Sequence, residues 1–178
     1  EIRSCLVGSE MCIRDSDSAT GLGYGIGAAK GITGGRRAYK GALLEGGIGV
    51  PFIVRWPGKV PAGRVDKTSI ISAVDLLPTF CELAGAELPI DYITDGLSQV
   101  ETLRGRGKAI RTKPLFWKIS ASWPPRETKP DHWASFAVVD QRWKLCANHD
   151  LKYTELFDLI NDPLETMDLA ESNPKVVE

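Results

Sequence analysis

Lys40-Gly-Ala-Leu-Leu-Glu45-Gly46-Gly47-Ile-Gly-Val-Pro51-Phe-Ile-Val-Arg-Trp-Pro57-Gly58 joins a glycine-rich loop to an apolar run. Glu45-Gly46-Gly47 reads as the turn between them. Adjacent glycines permit either a positive φ or a backbone approach that a side chain would block. Val50 to Trp56 reads as a short strand that Pro57-Gly58 stops. Its apolar character predicts burial on both faces, as in parallel sheets. A loop just outside such a strand is where open α/β sheets bind ligands, which draws attention to Lys40. A loop lysine taken alone is most often a solvated surface residue.

Upstream, Asp17 to Gly41 is rich in glycine and short of large apolar residues, so it reads as a loop. Gly23-Tyr-Gly25-Ile-Gly27-Ala28 touches the dinucleotide pattern G-x-G-x-x-A, but no strand precedes it and no suitably spaced acidic residue follows. Nucleotide binding is rejected on that ground.

Downstream, Asp75 to Ala84 reads as a helix. Asp75 can cap it by accepting first-turn N–H groups, and Pro78 falls where a missing N–H costs little. Leu76, Leu77, Phe80, Leu83 and Ala84 form its apolar face, and Gly85 stops it. This helix packs and does no chemistry. Glu87 to Lys113 is polar and irregular, with a domain boundary near its end. Leu115–Ile119, Ala134–Val139, Trp143–Ala147 and Glu155–Asp158 then read as short strands of a small antiparallel sheet, with Asp140-Gln141-Arg142 as a turn. Asn161 to Asp168 reads as a turn leading to a terminal helix, cut off at Glu178.

The 178 residues can bury one good core. A net charge of −1 points to no nucleic-acid partner. No apolar run approaches membrane-spanning length. Four scattered cysteines do not make a disulfide framework; Cys81 and Cys146 read as buried thiols.

Several of these segments together resemble the sulfatases of the alkaline-phosphatase superfamily. Arg37-Ala-Tyr-Lys40 through Glu45-Gly46-Gly47 to Pro51 resembles L-R-x-x-K-x-x-x-[YW]-E-G-G-[IV]-R-x-P. Arg55-Trp56-Pro57-Gly58 resembles the family's W-P-G turn. Val74-Asp75-Leu76-Leu77-Pro78-Thr79 with Leu83-Ala84-Gly85 resembles V-D-L-x-P-T-x-x-x-L-A-G, and Asp95-Gly96 resembles D-G-x-S. Leu156-Phe157-Asp158-Leu159 with Asp162-Pro163 and Glu165 resembles L-Y-D-L-x-x-D-P-x-E. Five motifs in order, from about Asp17 to the end, are specific.

The chain departs from the pattern in four places. It has no C/S-x-P/A-S-R nucleophile motif, no paired N-terminal aspartates and no middle-segment histidines; Gly49 and Leu44 replace an arginine and an aromatic. The resemblance therefore implies the C-terminal part of a sulfatase, inactive on its own. The implied fold is α/β: the C-terminal part of an alkaline-phosphatase-like sandwich over 17–113, then a small truncated α+β subdomain with an antiparallel sheet over 114–178. Residues 1–16 read differently, as a foreign, adapter-like leader in which Cys5 and Cys12 carry no meaning; the rival reading is a genuine strand at Ser4–Val7.

The resemblance also implies roles. A sulfate monoester leaves with negative charge on the sulfuryl and departing oxygens, which placed cations stabilise. Lys40 is implied as the catalytic contact to the sulfate, its compact ammonium serving as a point charge. Arg37 is a candidate substrate contact, with a structural role as the alternative. Asp17 is implied as a calcium ligand, oxygen donors suiting Ca2+, although Ser18 stands where an asparagine is usual. Glu45 is expected to pin the glycine turn by accepting backbone N–H groups. Apart from the resemblance, His132 with Trp133 before a strand can face a sugar, with ordinary packing as the alternative, and His149 reads as a turn residue. The nucleophile, a formylglycine by resemblance, is absent from this chain. The implied substrate is a small-molecule or polysaccharide sulfate ester, and the implied location is periplasmic or extracellular. A phosphoryl or phosphonate hydrolase of the same superfamily, or a non-catalytic binding fragment, are the alternatives.

Overall fold

The computed structural model describes residues 33–38, 41–119, 131 and 133–178, and the backbone alone of 12–15. In chain order the elements are β1 (Cys12–Asp15), α1 (Glu45–Ile48), β2 (Phe52–Arg55), a 3-10 turn (Ala73–Asp75), α2 (Leu76–Ala84), α3 (Val100–Leu103), β3 (Leu115–Lys118), β4 (Phe136–Asp140), β5 (Trp143–Ala147), β6 (Thr154–Asp158) and α4 (Pro174–Val177). They fall into two compact units. One holds β1 with Phe52–Lys113, the other holds 33–51 with Pro114–Glu178.

In the first unit, β2 pairs antiparallel with β1, from Cys12 opposite Arg55 to Asp15 opposite Phe52. The strand lies where the apolar run predicts it, but burial on both faces does not hold. Its residues alternate between half-buried and exposed, and Ile53 is 53% exposed. Successive strand side chains point to opposite faces, and only one face of β2 is partly covered within its unit.

The helix expected from Asp75 begins as a 3-10 turn and continues as α2, ending at Gly85 in the left-handed region (φ 66°). Asp75 does not cap it in the expected way. Its carboxylate is fully buried and accepts the N–H of Ser72 (2.9 Å), the N–H of Leu97 (2.8 Å) and the guanidinium of Arg111. Thr79 Oγ1, one turn on, donates to the Asp75 carbonyl (2.6 Å) and accepts the N–H of Gln99 (2.9 Å). The Asp95-Gly96 segment thus lies across the start of the helix. A Cβ on Gly96 would come within 1.9 Å of the Val74 carbonyl oxygen, so only glycine fits. Leu77 is 47% exposed, and Cys81 is half-buried rather than buried.

The second unit is built on the expected antiparallel sheet, with order β3-β4-β5-β6. A two-residue turn, with Gln141 at φ 55°, joins β4 to β5. The pairings Ala137–Cys146–Glu155 and Val139–Lys144–Phe157 place these six residues on one face. Segment 33–51 packs there: Leu43 and Leu44 join Ala134, Ala137, Cys146 and Phe157 in one buried cluster. Leu44 and Phe157 are fully buried, each contributing about 1.5–3 kcal/mol. The free edge of β6 is covered by the chain that follows it. The Leu156 N–H donates to Asp168 (2.9 Å), and the Leu169 N–H donates to the Leu156 carbonyl (2.8 Å).

Candidate functional site

The loop that carries Lys40 in the sequence is closed at its base. The Gly46 N–H donates to the Arg37 carbonyl at 2.8 Å. The two backbones approach so closely that a Cβ on Gly46 would lie 2.2 Å from the Ala38 carbonyl oxygen and 2.4 Å from that of Arg37. Of the two uses of glycine the sequence allows, Gly46 serves the close approach. Ala38 takes the left-handed conformation (φ 67°) at this crossing, an uncommon state for a residue other than glycine. Just outside it, Arg36 Nη1 donates to the Gly49 carbonyl at 2.9 Å. Between the two ends, Ala42, Leu43 and Leu44 are buried.

Both ends of the loop are fastened to the same face of the sheet. At one end, Arg37 donates from Nη1 and Nη2 to the two Glu155 oxygens (2.7 and 3.4 Å) and from Nε to Asp131 (2.9 Å), with its guanidinium 6.0 Å from the centre of the Phe157 ring. Burial opposes the charge on Arg37, and the two carboxylates outweigh it, raising its pKa above the usual value. Glu155 also accepts the Tyr153 hydroxyl (2.8 Å), and Tyr153 meets Trp133 edge to face at 4.7 Å.

At the other end stands a buried ionic cluster. Lys144, fully buried on β5, lies 2.9 Å from Glu45 and 2.7 Å from Glu165. The second Glu165 oxygen accepts the Glu45 N–H at 2.6 Å. Burial lowers the pKa of Lys144, but two carboxylates facing one ammonium raise it overall. Glu165 is pushed upward, first by burial, with the neighbouring Glu45 charge adding to it. Glu165 holds a left-handed backbone (φ 57°) while fully buried. That costs on the order of 1–2 kcal/mol and aims its carboxylate at the loop.

Lys40, His132 and Asp17 lie outside the described residues. Among the described residues, Arg37 is bonded to Asp131 at 2.9 Å. Glu45 pins the loop as expected, through Lys144 and its own N–H rather than by accepting backbone N–H groups. Lys144 escaped the sequence reading, although strand alternation puts it on the same face as the buried Cys146. On the opposite face, a cavity of about 450 Å³ is lined by Phe116, Lys118, Phe136, Val138, His149 and Leu151. Among the described residues no helix is long and apolar enough to cross a membrane.

Residues 37–177 match the family described as N-sulphoglucosamine sulphohydrolase, C-terminal, and the chain belongs to it. It is 33% identical over 142 residues to a sulfatase of Formosa agariphila, covering 78% of this chain and 26% of that protein. The solved structure of Ps i-CgsB superposes with a TM-score of 0.73 at 27% identity, over 94% of this chain and 34% of that one. A 2-O GAG sulfatase of known structure gives a TM-score of 0.53 at 26% identity, over 72% of this chain and 27% of that one. The fold is thus that of the alkaline-phosphatase-like sulfatases, and the chain spans about a quarter to a third of the proteins it matches.

Proposed function

We propose that this chain is the C-terminal part of a sulfatase that hydrolyses sulfate esters of carbohydrates, with Lys40 contacting the sulfate. One observation carries the reading: the Lys40 loop is closed at its base and fastened at both ends to the sheet. A charge held in place in advance stabilises a transition state because it need not reorganise during the reaction. The ammonium of Lys40 would meet negative charge growing on the sulfuryl oxygens. Arg37 would hold the loop, and His132 would face the sugar beside Trp133. The nucleophile belongs to the rest of the enzyme, outside these residues. The carbohydrate substrate class draws support from Ps i-CgsB, which has also been solved in complex with k-i-k-neocarrahexaose. A periplasmic or extracellular location goes with the same reading.

Calcium, held in part by Asp17, belongs to this proposal by resemblance alone. Among the described residues no three of His, Cys, Asp and Glu gather as a metal site. Its test is chelation and calcium re-addition, with and without Asp17→Asn.

The test of Lys40 uses the full-length enzyme and an aryl sulfate. Lys40→Ala is expected to lower kcat about a hundredfold, while Lys30→Ala, a lysine of the same glycine-rich stretch, leaves it unchanged. Near-normal turnover in Lys40→Ala, or an equal fall in both, would remove the assignment.

A further inference from the structure

We infer that Lys144 is a positioning residue: held between Glu45 and Glu165, it couples the C-terminal end of the Lys40 loop to the sheet and so sets where Lys40 meets the sulfate. The inference rests on the reading of Lys40 above.

Four observations converge on it. Lys144 lies on β5 with its ammonium fully buried, far from any solvent role for a lysine. Its two partners come from opposite ends of the unit, Glu45 on the loop and Glu165 120 residues further on. Glu165 reaches the cluster only through a left-handed backbone that its side chain does not favour, and strain of this kind collects where geometry serves function. Finally, the other end of the loop has its own side-chain anchor at Arg37 and Glu155, and Lys144 supplies the matching side-chain tie at the Glu45 end, beside the backbone bonds from the Glu45 N–H to Glu165 and from the Gly46 N–H to Arg37.

Energy points the same way. A buried ion cluster is a poor source of stability, since well-packed apolar groups often do as well or better. What it supplies is a definite geometry. Burial of Leu43 and Leu44 is non-directional and by itself names no hydrogen-bond geometry for the loop. An ammonium shared by two carboxylates and an amide N–H bound at 2.6 Å do name one.

The test breaks the coupling from either end in the full-length enzyme. Glu45→Ala takes the loop's carboxylate away from Lys144, leaves the Lys144–Glu165 pair balanced and keeps the residue-45 N–H on Glu165. Lys144→Met with Glu165→Gln cuts it at the sheet, removes both fully buried charges together, leaves the 17% exposed Glu45 carboxylate without Lys144, and keeps an acceptor for the Glu45 N–H. Each is expected to lower kcat at least tenfold while KM moves less than about threefold, because the affected contact strengthens in the transition state. Amide exchange across 41–49 is expected to speed up in both. Combining the changes is expected to add little, since both cut one link. A folded Glu45→Ala enzyme with kcat within twofold of the parent, or with unchanged exchange in 41–49, overturns the inference. If the sheet-side variant fails to fold, Glu45→Ala decides alone. If Lys40→Ala keeps its turnover, the reading of Lys40 fails instead, and the exchange data then judge the coupling by themselves.

Discussion

The Glu45 amide N–H donates to the carboxylate of Glu165 at 2.6 Å, across 120 residues of chain. Each residue belongs to a separate sequence signature, Glu45-Gly46-Gly47 and Asp162-Pro163 with Glu165. Neither motif explains the other in isolation. Folded, they are the two sides of one contact, and Lys144 fills the space between them.

Glu165→Ala is therefore expected to destabilise strongly. It removes one of the two partners of a buried ammonium and leaves the Glu45 N–H without its acceptor. Breaking a buried pair from one side costs about 3–5 kcal/mol. Chemical denaturation of the enzyme compared with its Glu165→Ala variant measures it, and a loss below about 1 kcal/mol would show that the cluster is not held as described.

Gly46→Ala tests the loop crossing. The new Cβ would meet two backbone carbonyls, which cannot swing aside as a side-chain tip can. The loop must reopen, at a cost of about 3 kcal/mol. Gly107→Ala is the control, because a Cβ there meets nothing within 4 Å. Its effect should stay within about 0.5 kcal/mol.

Asp75→Ala addresses the other unit. It deprives the buried Arg111 of its carboxylate partner and the Leu97 N–H of its acceptor. A loss of about 3 kcal/mol is expected, with proteolysis appearing first in the Asp95–Leu97 segment. Proteolytic cleavage confined to other segments would show that Asp75 does not hold this one.

How much of this was legible follows from the range of the contacts. The four strands of the sheet and the stop at Gly85 are local patterns, and the sequence states them. The hub at Asp75 looked like a helix cap, because a capping aspartate and a buried one have the same local sequence; only Arg111 and Leu97 distinguish them. β2 looked doubly buried because an apolar run carries no record of what covers it. Lys144 could have been suspected from strand alternation, yet nothing near it in sequence announces Glu45 or Glu165. Their meeting depends on the fold having formed. The roles of Lys40 and Asp17 rest on the family resemblance, and that of His132 on its place with Trp133 before a strand.

Cys146 gives an alkaline test of the same interior. Burial pushes its thiol from the usual 9.0 up to about 12, with the carboxylates of Glu165, Glu155 and Glu45 adding to the rise and Lys144 opposing it. The folded state therefore favours the protonated thiol. For a group whose pKa is raised on folding, the stability it contributes is complete below the unfolded value and declines above it. Lys144 shifts in the same direction, so its contribution also fades on the alkaline side. Stability is expected to hold up to about pH 9 and to fall between about pH 9 and 12, as unfolding releases protons the native state retains. Denaturant midpoints across that range measure the fall, and Cys146→Ala should reduce its slope. Alkylation supplies an independent check: at pH 8 the Cys146 peptide should stay unlabelled in the native protein and become labelled once denaturant is added, since only an accessible thiolate reacts. Rapid native labelling would place Cys146 outside the core.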